Sequence, residues 1–149
     1  MKKYILIFLM MAVCAIGHAQ SSIFKKYENT KGVSTVVVSK AMLRMMPNIS
    51  VGNHNIKKIA SRIDNLQVLS CERSALISKI SKDALAIYKK KPWEEAMRYK
   101  EGGQITVIYM RPLGKGKYEY VLYNTEEGEL QIISIVGDIT LQEIQAITN

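Results

Sequence analysis

The spacing of apolar and polar positions changes character twice along this chain. Tyr4 to Ile16 (YILIFLMMAVCAI) is continuously apolar, preceded by Lys2 and Lys3 and followed by Gly17-His18-Ala19. Crossing a bilayer takes about 20 apolar residues, so this run is too short to span one. It has the length of a signal-peptide core, and the small residues Gly17 and Ala19 fit the −3 and −1 positions of a cleavage site. The expectation is a signal peptide over residues 1–19, cleaved before Gln20, and one domain over residues 20–149. A second reading makes Cys14 a lipid-modified cysteine, although bulky Val13 at −1 fits such a signal poorly.

From Ser22 to Lys90 the pattern is mainly helical. Ser22 to Tyr27 reads as a short helix with Ile23, Phe24 and Tyr27 on one side. Gly32 interrupts it. Val33 to Val38 (VSTVVV) is β-branched and reads as a buried strand. Ser39 is placed to cap a helix through Met46 that Pro47 stops, and Asn48 to Asn55 reads as an exposed loop. A further helix is expected over Ile56 to Ile63, then a strand from Leu66 to Ser70. The longest predicted helix runs from about Ser74 to Lys90. Leu76, Ile77, Ile80, Ala84, Ile87 and Tyr88 fall in an arc of about 120° on it, opposite Lys79, Lys82, Lys89 and Lys90. Lys79 is one turn from Asp83, the spacing of an ion pair.

After Pro92 the period becomes two. Glu94 to Lys100, Gln104 to Met110, Lys117 to Asn124 and Leu130 to Val136 read as strands, separated by glycine-bearing segments of hairpin length. Thr140 and Glu143 have capping-box spacing ahead of a last helix, Leu141 to Ile147, with Asp138 the other candidate cap. The predicted class is α+β: a β-α-β unit, a long amphipathic helix, a four-stranded antiparallel meander and a C-terminal helix. Neither face of the meander strands is cleanly polar. Either helices cover both faces, or one face is an interaction surface.

Charge and cysteine content narrow the partners. The chain carries a formal net charge of +8, which falls to +6 without Lys2 and Lys3. The lysines are spread in pairs and triplets, as at Lys25-Lys26, Lys57-Lys58 and Lys89-Lys90-Lys91. Such a surface suits simple solvation, or contact with anionic lipid head groups or a cell-wall glycan. No nucleic-acid module is present, so no nucleic-acid partner is expected. With the leader removed only Cys71 remains, which excludes an intramolecular disulfide; its place at a strand end points to burial.

Catalytic chemistry finds little support. There is no G-x-x-x-x-G-K-[ST], G-x-G-x-x-G or G-x-S-x-G, and no cofactor is expected. His54 is the one histidine after the leader, so a multi-histidine zinc site is excluded within one chain, and a Cys71–His54 pair has no spacing argument behind it. Glu94 and Glu95 point to opposite faces of a strand, and Glu126, Glu127 and Glu129 sit in a turn. Met42, Met45 and Met46 read as core or interface packing before Cu(I) ligands. Tyr118 and Tyr120 share a strand face on which a glycan or peptide can stack. The candidate interaction surface is therefore Tyr118, Tyr120, Tyr109, Met42 and Met46.

The segments FKKYENTKGVSTVVVSKAMLRMMP (Phe24 to Pro47), IDNLQVLSCE (Ile63 to Glu72), WEEAMRYK (Trp93 to Lys100) and ISIVGDITLQEIQAI (Ile133 to Ile147) resemble the exported bacterial family catalogued as domain of unknown function 4252. That resemblance implies a small envelope protein of Gram-negative bacteria, sometimes lipid-anchored, with no established activity, cofactor or catalytic residue. Some members are encoded beside extracytoplasmic-function sigma factors, which fits a regulatory or envelope-stress role. The functional expectation is a non-enzymatic envelope module that binds another envelope protein or itself, in the periplasm or outer envelope, with peripheral membrane contact as a further candidate. The alternatives are a binder of an anionic envelope ligand through the lysine clusters and, behind it, a thiol or carboxylate hydrolase.

Overall fold

A computed structural model describes residues 22–46, 50–51 and 54–148. The leader expectation, Cys14 included, and Pro47 lie outside the described residues, as does the side chain of His54. The chain runs through helix α1 (Ile23–Tyr27), strand β1 (Val33–Ser39), helix α2 (Lys40–Met45), the two-residue strands β2 (Ser50–Val51) and β3 (His54–Asn55), a 3-10 turn (Ala60–Arg62) and β4 (Ile63–Cys71). Helix α3 (Ser74–Tyr88), strands β5 (Glu94–Glu101), β6 (Gln104–Gly114), β7 (Lys117–Glu126) and β8 (Glu129–Gly137), and helix α4 (Leu141–Thr148) follow.

The class is α+β, but the expected four-stranded meander is corrected to one six-stranded sheet of order β1-β4-β8-β7-β6-β5. Every neighbouring pair in it is antiparallel. Strand β4 pairs with β8 along nearly its whole length, so the N-terminal strands join the C-terminal ones instead of forming a separate unit. The hairpin turns follow from local chemistry. Gly102 and Gly103 both have positive φ (55° and 87°), the requirement of a two-residue I′ turn, and they close the Glu101–Gln104 pair.

Helices cover both faces, and they do so at opposite ends of the sheet. On one face Leu69, Val107, Tyr109, Val121, Tyr123, Leu130 and Ile132 pack with Ile23, Phe24 and Tyr27 of α1 and Ile80, Ala84 and Tyr88 of α3. On the other, Leu66, Ile108, Tyr120, Leu122, Ile133 and Ile135 pack with Leu43 of α2, Ile144 of α4 and the loop residues Ile56, Ile59 and Ile139. Full burial of side chains this large is worth roughly 1.5–3 kcal/mol each. The inner strands β4, β8, β7 and β6 are therefore apolar on one face at one end and on the other face at the other end. This is why none of them shows a clean polar face in sequence, whereas edge strand β5 does, with Glu95, Arg98 and Lys100 on one face.

Cross-strand register makes the arrangement explicit. On the α2/α4 face Met97, Ile108, Leu122, Ile133, Val68 and Val36 form one apolar row across all six strands. The adjacent row toward the sheet end is Tyr99, Thr106, Asn124, Gln131, Ser70 and Ser34, every one a neutral hydrogen-bonding side chain.

Two local expectations change. The helix expected over Ile56 to Ile63 is a pair of tight turns, in which Ile59 N–H donates to Ile56 (3.1 Å) and Arg62 N–H to Ile59 (2.9 Å). Ile63 already belongs to β4, opposite Gly137, which leaves too few residues for a stable α-helix. Asp83 is held from α1 instead of by Lys79: it accepts from the Tyr27 hydroxyl and pairs with Lys26 at 3.0 Å. Those two partners keep its carboxyl below the usual range, and burial with the Asp83 hydrogen bond pushes the Tyr27 phenol up to about 12. The contact pins α1 to α3.

Candidate functional site

Strand β1 pairs only with β4, so its outer N–H and C=O groups have no strand beside them. Unpaired edge groups are a template for a strand from another chain, and natural edges are blunted by charge, proline or bulges. Here the centre of β1 is neither charged nor bulged. Val36 and Val37, on opposite faces, are 50% and 59% exposed.

Helix α2 continues this apolar surface. The Ser39 Oγ accepts from Met42 N–H (3.4 Å) and starts the helix directly at the end of β1. Six residues with a single buried side chain, Leu43, form a helix held by one anchor. Met42 and Met45, three residues apart, share its outer side, and Met46 follows as the C-cap in extended backbone; all three are exposed, Met45 at 82%. The junction is fixed electrostatically. Asp64 on β4 accepts from Lys117 of β7 and from Lys40 at the start of α2 (3.2 Å), and the Lys117 contact, foremost, holds the carboxyl below its ordinary range. An accessible edge strand and a methionine-rich helix side thus sit on a firmly held base. Methionine's flexible thioether adapts to irregular partner surfaces.

The five residues singled out from sequence fall into three environments. Met42 is exposed on α2, and Met46, expected inside that helix, is its exposed C-cap. Tyr118 is half-buried, its ring 5.9 Å from that of Tyr120. Tyr120 is corrected from surface to core: it is 1% exposed and its hydroxyl donates to the Ile139 carbonyl at 2.6 Å, with burial pushing the phenol up to about 12. Tyr109 is likewise removed from the surface. It lies on the other face, stacked on Tyr88 with centroids 5.5 Å apart. Its hydroxyl is buried with no hydrogen-bond partner among the described residues.

Val36 and Val37 were missed because their run reads as a buried strand, and only strand order places it at an edge. Their adjacency was the available signal: consecutive valines point to both faces, and an edge strand between short helices has both faces only partly covered.

The catalytic candidates do not converge. Cys71 is buried and free, with its thiol 3.7 Å from the Arg73 carbonyl. Glu95 pairs with Arg98 at 2.5 Å, on the sheet face opposite Glu94. Among the described residues no three of His, Cys, Asp and Glu are grouped to hold a metal, and no helix is long and apolar enough to cross a membrane.

These features define a small α+β protein built on one six-stranded antiparallel sheet. The chain belongs to the family Domain of unknown function (DUF4252), whose model matches residues 27–147. No curated protein matches it, and no solved structure does.

Proposed function

We propose that this is a non-enzymatic protein-interaction module of the bacterial envelope, exported by the leader at residues 1–19, that docks an extended partner segment along β1 and α2. The supporting observation is the unpaired edge carrying Val36 and Val37, continued by exposed Met42, Met45 and Met46. A strand added to β1 satisfies its outer backbone groups and covers both valines. Exposed Lys31 and Arg73 near one end of β1 and Arg44 on α2 favour a partner with apolar residues and acidic flanks. The same charges oppose pairing of β1 with β1 of a second copy.

The test is a photo-crosslinking residue at Val37 or Met45 in the producing cells, with Lys82 on the solvent side of α3 as control. A discrete adduct from 37 and 45 but not 82, lost on Val36→Pro, is expected. Equal labelling from all three sites, or none, overturns the reading. A mass of two copies would replace the partner with self-association.

A second reading has its own observation. Lys25 and Lys26 of α1 and Lys79, Lys82, Lys89 and Lys90 at α3 are all exposed, over the same sheet face. This basic surface suits peripheral contact with anionic lipid. Salt-sensitive sedimentation with phosphatidylglycerol vesicles, weakened by Lys82→Glu with Lys89→Glu, tests it; equal binding to neutral vesicles would refute it.

A further inference from the structure

We infer that the row Tyr99, Thr106, Asn124, Gln131, Ser70 and Ser34 is a binding platform for a linear neutral oligosaccharide, crossing the sheet face from β5 to β1. The row crosses the whole sheet, one side chain per strand, and α4 reaches it at Thr148, its last residue, beside Tyr99, Thr106 and Asn124. With strands about 4.8 Å apart it extends roughly 24 Å.

The chemistry of the row is selective. A sugar presents hydroxyl groups that both donate and accept, around rings with apolar C–H faces. It is matched by amides and hydroxyls beside an exposed aromatic ring. The row has this composition: two amides, three aliphatic hydroxyls, and Tyr99 at 48% exposure. Asn124 Oδ1 accepts from Thr106 Oγ1 (3.1 Å) and Gln104 Nε2 (3.3 Å). This fixes the amide so that its Nδ2 donor has no partner among the described residues and stays available to a ligand hydroxyl. Tyr99 is held in turn by its hydroxyl donating to Glu101.

Shape and charge point the same way. A concavity of about 360 Å³ at one end of the row is lined by Met97, Tyr99, Glu101, Gln104, Thr106 and Asn124, among others. A second, of about 430 Å³, lies at the other end against Ser34, Ser70 and Glu72. The charged side chains lining the two are carboxylates, Glu101 and Glu72, and the β7–β8 turn beyond the row adds Glu126, Glu127 and Glu129. At the Tyr99 end these carboxylates repel a phosphate or acidic glycan, and the six side chains of the row carry no charge, so the ligand class is neutral; Lys31 and Arg73 flank only the Ser34 end. Half-buried Met97 beside Tyr99 adds an apolar contact for the C–H face of a ring.

The experiment is calorimetric titration of the protein purified after expression of the full chain. The probes are cellohexaose, maltohexaose and N-acetylchitohexaose, with a galacturonic acid hexamer as the anionic comparison. Saturable binding of at least one neutral probe is expected. Tyr99→Ala and Gln131→Ala should each weaken it about tenfold, the loss of one ring contact or one hydrogen-bonding group. Tyr99→Phe should retain binding, which separates ring stacking from any loss of folding. The proposal fails if none of the neutral hexasaccharides binds at millimolar concentration. It fails also if binding is unchanged in both alanine variants, or if the anionic hexamer binds instead.

Discussion

Tyr109 and Tyr120 are each 1% exposed, on opposite faces of one sheet, and differ in the fate of a single hydroxyl. That difference gives the same substitution opposite signs. In Tyr120→Phe the 2.6 Å hydrogen bond to the Ile139 carbonyl is lost and that carbonyl stays buried, a cost of about 1–2 kcal/mol. In Tyr109→Phe the oxygen removed has no partner among the described residues. Folding strips that hydroxyl of water without compensation, so its removal relieves a desolvation cost and should stabilise by about 0.5–1 kcal/mol. The ring, its stacking on Tyr88 and nearly all its buried area are kept. For a domain of this size a change of 1 kcal/mol moves the melting temperature by roughly 4 °C. Thermal unfolding followed by circular dichroism should then show Tyr120→Phe lower by about 4–8 °C and Tyr109→Phe higher by about 2–4 °C. The double variant should be near the sum, because the two rings share no partner across the sheet. A Tyr109→Phe protein that melts lower by as much as Tyr120→Phe would refute the reasoning.

Other parts of the fold give equally direct tests. A Cβ at Gly137 would stand 2.2 Å from the Arg62 carbonyl oxygen, so Gly137→Ala must push backbone apart. It should cost about 2 kcal/mol, a fall of roughly 8 °C; an unchanged melt would contradict the close approach. Glu143 accepts from Arg62 and from the Thr140 N–H (2.9 Å), and these bonds, the arginine's foremost, hold its pKa down at about 2. Its folded value lies below the ordinary glutamate value of 4.5, so its contribution is complete above about pH 4.5 and is lost as pH falls toward about 2. The gap between wild-type and Glu143→Gln melts should be constant from pH 7 to 5 and close below that; a gap independent of pH would sink the assignment. Buried Cys71 should resist an aromatic disulfide reagent in the native protein and react fully in denaturant. Fast native labelling would reopen the thiol chemistry set aside above.

Most of the elements were legible in local chemistry. The valines after Gly32, the turn glycines at 102 and 103, Ser39 as a cap and Thr140 with Glu143 as a capping box act over distances of a few residues. The Ile56 to Ile63 segment was misread for the complementary reason. Its isoleucines at 56, 59 and 63 suit a helix face, but β4 claims Ile63 through pairing with Gly137, a partner far along the chain. Lys79 likewise has ideal helical spacing to Asp83, and loses it to Lys26 and Tyr27 because α1 packs against α3.

The candidate sites were less legible. Sequence alone determined that a methionine-rich segment follows β1, that the long helix is basic on its outer side, and that tyrosines alternate along the C-terminal strands. Only tertiary structure decided that β1 is an edge, that Tyr109 and Tyr120 are core residues, and that six polar side chains from six strands form one row. The physical reason is that these properties belong to strand order and register. Both are set by which apolar surfaces find cover, and α1 with α3 and α2 with α4 take opposite ends of opposite faces. A side chain's period in the sequence says which face it is on; whether anything covers that face at that point is a long-range fact of packing.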